Sequence, residues 1–391
     1  MSTRSPAGID GRLVVAVEQL RRPVPGGIGR YARGLLDGLR QRRCQGVELL
    51  ASRRRARARL DGPDPLSAWG FPVRTSALPA PFLVAAWDRG AAPVRRARLV
   101  HSVSLAAPPV RPRRARGGPA LVVTVHDLAW RAHPEATTAR GRRWHQAALE
   151  RALEHADAFV VPSAAVARDL EDAGAPAGRV RVIPHGVDHL PAPDTDGAES
   201  LLRRLGVGDG YLLTAATLEP RKNLRRLVAA FSSARSSLAG RWPLLVVGPA
   251  GWGDAAPGGD GSEGVIVTGP VDDAVLAALY HDARAFVYVP LTEGFGLPPL
   301  EAMACGAPVV VSTTTPSTAV VSTPAADGAG GVGAALRVDP TTVDDIAAAL
   351  VRVSGDEALR ASLVHKGREL VAPLTWRASA AAHVEWWESL L

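Results

Sequence analysis

Two carboxylates, Glu293 and Glu301, flank a turn rich in glycine and proline, and this spacing is the clearest chemical pattern in the chain. The start of a helix presents free amides and a positive dipole end, which favour an anion. Because carboxylates repel phosphate, we expect these side chains to bind hydroxyl groups of a nucleotide sugar instead. The alternative is that Glu301 only complements the helix dipole and Glu293 is a solvated loop residue. The Gly-Phe-Gly and Pro-Pro sequences between them favour the functional interpretation.

Three further candidates follow predicted strands. Arg221 and Lys222 come after a strand at 211–215, where two cations are suited to neutralise a leaving diphosphate. Lys222 is one of only two lysines in the chain, which makes ordinary surface charge the weaker explanation. His126 follows a strand at 120–125, at the end where open α/β sheets bind ligands. A core histidine with a satisfied hydrogen bond is the alternative for His126.

The elements that must position these side chains alternate as strand, loop and helix through both halves of the chain. Apolar runs such as 120–125 and 286–289 are typical of buried strands. Glycine and then proline after the second run mark a switch to a helix near residue 300, with Glu301 in its first turn. The pattern predicts an α/β protein with two Rossmann-like, doubly wound parallel sheets. A polar linker at 191–200 divides a domain of residues 1–190 from one of residues 191–375.

Glycine loops follow other predicted strands. Gly26 and Gly27 precede a helix after the first strand, and the loop containing Gly248 follows a strand at 243–247. Such loops let a ligand approach the backbone closely. The first loop is not G-x-G-x-x-G, and no acidic residue suits a dinucleotide ribose, so a dinucleotide cofactor site is rejected. Val271, after a strand at 264–268, is placed where its backbone could contact a nucleotide base.

Composition excludes several classes of protein. Apolar residues make up 47% of the chain and charged residues 21%, which is typical of a globular protein. No apolar run approaches the roughly 18–20 residues that span a bilayer, and the N-terminus has too short an apolar stretch for a signal peptide. Cys44 and Cys305 give neither a disulfide framework nor metal-ligand spacing, so we expect a reducing cytoplasm.

The net charge of +8 is unevenly distributed, because most arginines precede residue 190. Clusters at 53–59, 95–98 and 111–116 are either a solvated face or a basic surface for anionic lipid or a phosphorylated acceptor. The second interpretation predicts a peripheral contact at the inner face of the membrane. Nucleic acid is disfavoured as a partner, because no basic groove interleaved with aromatic residues supports it.

The segment 293–308 resembles the donor-site signature of retaining glycosyltransferases of family 4, through Glu293-Gly-Phe-Gly-Leu-Pro, then Glu301 and Gly-Ala-Pro-Val. Residues 217–224 are similar to the L-x-P-R-K-N element of that family. The resemblance implies the GT-B fold, with two domains facing a central cleft and helix 376–391 crossing back to the first. It also implies transfer of a hexose from a nucleotide sugar to an acceptor hydroxyl of a glycan or glycolipid, without a metal or another cofactor.

The resemblance implies roles for the candidate residues. Arg221, Lys222 and the amides at 296–297 would stabilise the diphosphate. Glu301 would hold the ribose, Glu293 the sugar hydroxyls, and His126 would border the transferred sugar, with Asp127 orienting it. The remaining expected contacts are Gly294, Phe295, Gly296, Leu297, Gly248 and Val271 for the donor, and Gly26 and Gly27 for phosphate or acceptor. The tryptophans of the last helix, Trp376, Trp386 and Trp387, are expected to anchor its packing.

The segments 217–223 and 248–252 look most like mannosyltransferases, so GDP-mannose is the expected donor and a UDP-hexose the runner-up. A nucleotide-sugar epimerase of the same fold is less well supported, since its extra carboxylates are not recognisable. A non-catalytic nucleotide-sugar-binding or membrane-surface protein is the alternative from another class, and the intact candidate residues argue against it. The chain departs from the family pattern at His185, where Asn is usual, and at 312–331, where a mobile or rebuilt loop is expected.

Overall fold

The computed structural model describes residues 12–54, 64–110, 117–134, 137–208, 210–251, 263–318 and 333–391. The chain divides into two compact units. The N-terminal unit comprises Met1–Gly186 with Thr375–Leu391, and the C-terminal unit comprises Val187–Leu374. The predicted segments 55–59, 111–116, 252–253 and 319–331 lie outside the described residues.

The N-terminal unit contains, among its described residues, a seven-stranded parallel sheet in the order β3-β2-β1-β4-β5-β6-β7. Its strands are β1 (Leu13–Ala16), β2 (Val47–Arg53), β3 (Val73–Pro79), β4 (Leu99–Ser102), β5 (Ala120–Thr124), β6 (Ala158–Val161) and β7 (Val180–Val182). Its first helices are α1 (Gly26–Gln41), α2 (Ala80–Asp88), α3 (Ala129–Ala132), α4 (Ala139–His155) and α5 (Ala164–Asp172). Every residue of β1, β4, β5 and β6 is buried, which explains why β1 and β6 are wholly apolar; the polar exceptions are His101 and Ser102 on β4 and Thr124 on β5.

The described part of the C-terminal unit contains a six-stranded parallel sheet in the order β10-β9-β8-β11-β12-β13. Its strands are β8 (Leu212–Ala215), β9 (Leu244–Val247), β10 (Val265–Gly269), β11 (Ala285–Tyr288), β12 (Val309–Ser312) and β13 (Leu336–Val338). Its helices are α6 (Thr195–Arg204), α7 (Leu224–Ala234), α8 (Asp273–Asp282), α9 (Leu297–Cys305), α10 (Val343–Gly355) and α11 (Glu357–Val371). These two sheets confirm the predicted fold of doubly wound parallel units.

The strand order reverses beside the first strand of each sheet. In the C-terminal unit, β8 lies between β9 and β11, so the loops after β8 and β11 begin next to each other. Open α/β sheets bind ligands at such a switch point, beyond the carboxyl ends of the strands. The cations after β8 and the carboxylate after β11 are therefore brought to one edge of one sheet.

The last helix, α12 (Trp376–Ser389), belongs to the N-terminal unit and packs on α1. Trp376 and Trp387 are buried in that core, as expected of packing anchors, whereas Trp386 is only partly buried. A Cβ atom on Gly34 of α1 would lie 2.0 Å from Cε2 of Trp376, so glycine is required where the indole crosses the helix. Among the described residues, no helix is long and apolar enough to cross a membrane.

Two local boundaries differ from the sequence-based expectation. Gly26 and Gly27 form the first turn of α1 and are not part of the preceding loop. Helix α9 begins at Leu297, so Glu301 is its fifth residue, beyond the first turn. Gly296, with a φ of 92°, allows this early start, because it turns the chain sharply before the two prolines. Glu301 is therefore poorly placed to act only as a complement to the helix dipole.

Candidate active site

Two loops of the C-terminal unit are joined at the switch point. After β8 the chain forms a 3-10 turn, Pro220–Lys222, which ends at Asn223. The amide of Leu291 in the loop after β11 donates to the Arg221 carbonyl at 2.9 Å. Asn223 is buried in the left-handed conformation, and its Nδ2 donates to the carbonyls of Val289 at 2.9 Å and Pro340 at 2.7 Å. These bonds fix the position of Arg221 and Lys222 relative to the carboxyl ends of the strands.

Glu293 is the centre of a cluster of charged side chains at this edge. Its Oε1 forms an ion pair with Lys222 Nζ, and its Oε2 is 3.2 Å from Arg221 Nη1. Arg221 Nε is also 2.5 Å from Glu219 Oε1. The Tyr288 hydroxyl donates to Glu293 Oε1 at 2.6 Å and accepts from Lys222 Nζ at 2.9 Å. The structure thus brings Arg221, Lys222 and Glu293 together.

The charge states in this cluster follow from its burial and its cations. Burial raises the pKa of Glu293, but the charges of Lys222 and Arg221, with the hydrogen bonds from Lys222 and Tyr288, lower the pKa to about 2. Burial and the neighbouring Glu293 carboxylate raise the pKa of Tyr288 well above its usual value. At neutral pH the tyrosine is therefore a neutral donor and Glu293 is a carboxylate. Arg221 and Lys222 can bind a diphosphate when the carboxylates that pair with them accept hydrogen bonds from other donors instead.

Glu301 lies one helical turn beyond Gly296 and is 3% exposed. His189 Nε2 is 3.0 Å from its Oε1, and the Tyr280 hydroxyl donates to its Oε2 at 3.3 Å. A donor on each oxygen therefore fixes the plane of this carboxylate, whose lone pairs are acceptors suited to hydroxyl groups. The Ser317 hydroxyl donates to the Gly296 carbonyl at 2.8 Å and fixes the turn that precedes α9.

The other predicted donor contacts lie at the carboxyl edge of the same sheet. Gly294, Phe295 and Leu297 are buried in the turn between β11 and α9. Gly248 follows β9 with a φ of 144°, and a Cβ atom there would lie 2.1 Å from the Ala216 carbonyl oxygen. Gly248 is thus required by the close approach of two strand-end loops. Val271 follows β10 and is half-buried against the core.

The predicted residues of the N-terminal unit are placed within that unit. His126 follows β5, and its Nε2–H donates to the Val103 carbonyl at 2.8 Å. Burial lowers the pKa of His126 against the opposing effects of this bond and of the Asp127 charge, so the ring is neutral at pH 7. The Asp127 carboxylate accepts the amide of Ala129 at 3.1 Å, and its role in orienting the ring stays a prediction. Gly26 and Gly27 are exposed, with open space where a side chain would be.

Sequence reasoning missed four side chains that contact the predicted residues. Tyr288 is the last residue of a correctly predicted strand, and Glu219 lies two positions before Arg221, so their proximity to the site could have been noticed. His189 and Tyr280 are distant in sequence from Glu301 and carried no local signal. Within the described ranges, no group of three or more His, Cys, Asp or Glu residues is arranged to hold a metal ion.

Two parallel-sheet units, with cations and carboxylates at the switch point of the second, define the GT-B class of protein. Comparison with known families gives a finer result. Residues 25–189 match the family model described as Glycosyltransferase Family 4, and residues 203–370 match the model described as Glycosyl transferases group 1. Together these matches span most of the chain, which consists of a glycosyltransferase family 4 domain followed by a glycosyl transferases group 1 domain.

The chain is similar to characterised relatives over part of its length. It is 34% identical over 194 residues to the O-antigen chain mannosyltransferase B of Escherichia coli, covering 48% of each chain. It is 33% identical over 255 residues to the D-inositol 3-phosphate glycosyltransferase of Kineococcus radiotolerans, covering 60% of this chain and 58% of that relative. The chain therefore spans about half the length of these curated relatives.

Solved structures share the whole fold. The structure of Anabaena HepE in complex with UDP and glucose has a TM-score of 0.69 at 18% identity, covering 96% of this chain and 98% of that chain. The sucrose-phosphate synthase of Thermosynechococcus elongatus has a TM-score of 0.70 at 22% identity, covering 97% and 99%. At these identities the similarity establishes the fold.

Proposed function

We propose that the protein is a retaining glycosyltransferase that moves a hexose from a nucleotide sugar to an acceptor hydroxyl of a glycan or glycolipid. The observation that carries the proposal is the joining of Arg221, Lys222 and Glu293 at the switch point of the C-terminal sheet. Departure of the diphosphate separates an anion from an oxocarbenium-like sugar, so preorganised cations at that point lower the barrier.

In the proposed reaction Lys222 and Arg221 bind the diphosphate and stabilise its growing charge as the bond to the sugar breaks. Glu293, which pairs with both cations in the structure, turns to the sugar hydroxyls and keeps the anomeric carbon in position. Glu301 accepts hydrogen bonds from the ribose, and neutral His126 borders the transferred sugar. The two cations replace the charge that a metal ion would supply, so we propose that neither a metal nor another cofactor is required.

GDP-mannose is the proposed donor. It is supported by the similarity to E. coli mannosyltransferases and by the L-E-P-R-K-N segment at 218–223. A UDP-hexose is the second candidate, favoured by structural neighbours that were solved with UDP and UDP-glucose. Purified protein should be titrated calorimetrically with GDP, UDP and ADP, and then assayed for sugar release from the matching donor. Selective UDP binding would overturn the mannose assignment, and absence of binding would contradict the proposal as a whole.

We also propose a peripheral contact with anionic lipid through the N-terminal unit. Phe82 on α2 is 66% exposed and Leu78 before it is 37% exposed, and the arginines Arg89, Arg95 and Arg96 nearby in the sequence are exposed. Exposed apolar side chains beside cations are typical of a surface that rests on anionic membranes. Cosedimentation with phosphatidylglycerol vesicles, but not phosphatidylcholine vesicles, is expected; equal recovery with both would contradict the contact.

A further inference from the structure

The Glu301 carboxylate forms hydrogen bonds with side chains from two other segments of the C-terminal unit. His189 precedes α6 and reaches one carboxylate oxygen, whereas Tyr280 at the end of α8 reaches the other. The His189 side chain is 11% exposed and the Glu301 side chain 3% exposed, so the pair is shielded from water. Tyr280 is itself buried and packs edge-on against Phe286 at a ring separation of 5.1 Å.

The segment that carries His189 is fixed to the same unit on both sides. The amide of Val187 donates to the Leu374 carbonyl at 2.9 Å, and the Val187 side chain is buried. Leu190 packs against the core that contains Phe295 and Leu297. His189 is therefore presented to Glu301 by anchored backbone, and its ring orients the carboxylate.

A buried carboxylate with a donor on each oxygen has a defined plane and defined lone-pair directions. A ligand diol can form two hydrogen bonds with such a carboxylate without first ordering it, which increases the discrimination against a ligand that lacks one hydroxyl. We infer that His189 is a positioning residue that orients Glu301 toward the ribose of the nucleotide and so determines specificity for the ribose hydroxyls. This inference rests on the proposed function.

The experiment compares ribose discrimination among variants. The nucleoside diphosphate that binds more tightly, GDP or UDP, is titrated calorimetrically beside its 2′-deoxy and 3′-deoxy forms. Wild type is expected to prefer the intact ribose by about tenfold or more over at least one deoxy form, as for a hydrogen bond to a charged group. In His189→Ala the preference should fall to within about threefold, because the carboxylate loses its orientation. His189→Gln, which places an amide donor at similar reach, should recover most of the preference.

Controls separate positioning from general damage to the fold. His281→Gln changes an exposed histidine next to Tyr280 and should retain the wild-type preference. Tyr280→Phe removes the donor on the second oxygen and should lower the preference even if His189→Ala does not fold. Weaker binding of all three ligands by the same factor in both variants would mean a purely structural role and would overturn the inference. Failure of wild type to bind either diphosphate would instead overturn the proposed function, and this inference with it.

Discussion

Mild acid is expected to destabilise the N-terminal unit, because its core holds histidines in their neutral form. His101 on β4 and His383 on α12 have no exposed surface. His383 Nδ1–H donates to the Ser379 carbonyl at 2.8 Å, so its Nε2 is left to accept the Tyr31 hydroxyl at 2.9 Å. Trp387 Nε1 donates to His101 Nδ1 at 3.3 Å. Protonation of either ring would bury a charge and set a new N–H against a donor, which is the Tyr31 hydroxyl for His383 and the Trp387 indole for His101.

The magnitude follows from the difference in pKa between the folded and unfolded states. Burial lowers the pKa of His383 from 6.5 to about 4, and burial with the neighbouring histidines lowers that of His101 well below 6.5. The unfolded chain therefore binds more protons, and stability falls as the pH drops below about 6.5 toward the folded pKa. Between pH 7 and 5 the shifted pKa of His383 lowers the free energy of unfolding by roughly 2 kcal/mol, and His101 lowers it further in the same direction.

Carboxylates act differently over this range. Glu293 and Asp64 have lowered pKa values, so the stability they contribute is lost only below about pH 4. Glu18 and Asp169 have pKa values raised by burial, and their easier protonation in the folded state opposes the histidines. Substitution of one histidine is therefore needed to isolate its contribution.

Urea unfolding at pH 7, 6 and 5, followed by tryptophan fluorescence, measures this dependence. Seven of the nine tryptophans belong to the N-terminal unit, so the signal reports mainly on that unit. His383→Gln should reduce the loss between pH 7 and 5 by roughly 2 kcal/mol relative to wild type. His155→Gln, at the exposed end of α4, is the matched control and should retain the wild-type slope. Equal slopes in the two variants, or a wild-type stability independent of pH, would refute the reasoning.

Three further predictions concern turnover. Lys222→Ala should lower kcat by on the order of 10²-fold or more, because a preorganised cation is lost. Lys366→Ala, which changes the other lysine, is the control. A near-wild-type rate for Lys222→Ala would exclude Lys222 as a stabiliser of the diphosphate. Tyr288→Phe should lower kcat by about tenfold, because Lys222 and Glu293 each lose a charge-assisted hydrogen bond; an unchanged kcat would leave the hydroxyl with a structural role only. EDTA should leave the initial transfer rate unchanged, and a loss restored by Mg²⁺ would refute metal independence.

The fold was predictable because buried parallel strands carry continuous apolar sequences. Strands β5 and β11 are buried at every position and were recognised from their β-branched and aromatic residues. The position of Lys222 and Glu293 in loops that follow strands was also readable, since strand ends are where α/β sheets bind ligands. Serine is a preferred residue at helix N-termini, and Ser163 caps α5, since its hydroxyl accepts the Val166 amide at 3.2 Å.

Contacts between distant segments were not readable in the same way. The Tyr288–Lys222 hydrogen bond depends on β8 and β11 being neighbours, which is a property of the strand order and not of either segment. The pairing of His189 with Glu301 depends on the path of the chain before α6. Start positions of helices were also uncertain, because Leu297 joins α9 through the left-handed Gly296, ahead of the prolines that suggested the boundary.

The ion pairs of Glu293 lead to one further expectation. Its carboxylate neutralises Lys222 and Arg221, so an incoming diphosphate must compete with it for the same cations. Glu293→Gln removes this competing charge while keeping a similar shape. The variant should bind the nucleoside diphosphate severalfold more tightly, because the ligand no longer displaces a carboxylate whose attraction to the cations is worth roughly 1–3 kcal/mol.

The same variant should transfer sugar much more slowly, because the sugar hydroxyls lose their charged acceptor. Calorimetric titration with the diphosphate and an initial-rate assay with the donor measure the two effects separately. Glu219→Gln is the matched comparison, since it removes a carboxylate that pairs with Arg221 but not with Lys222. Weaker diphosphate binding by Glu293→Gln would mean that the carboxylate mainly holds the two cations in position. The proposal that the diphosphate replaces Glu293 as their partner would then be refuted.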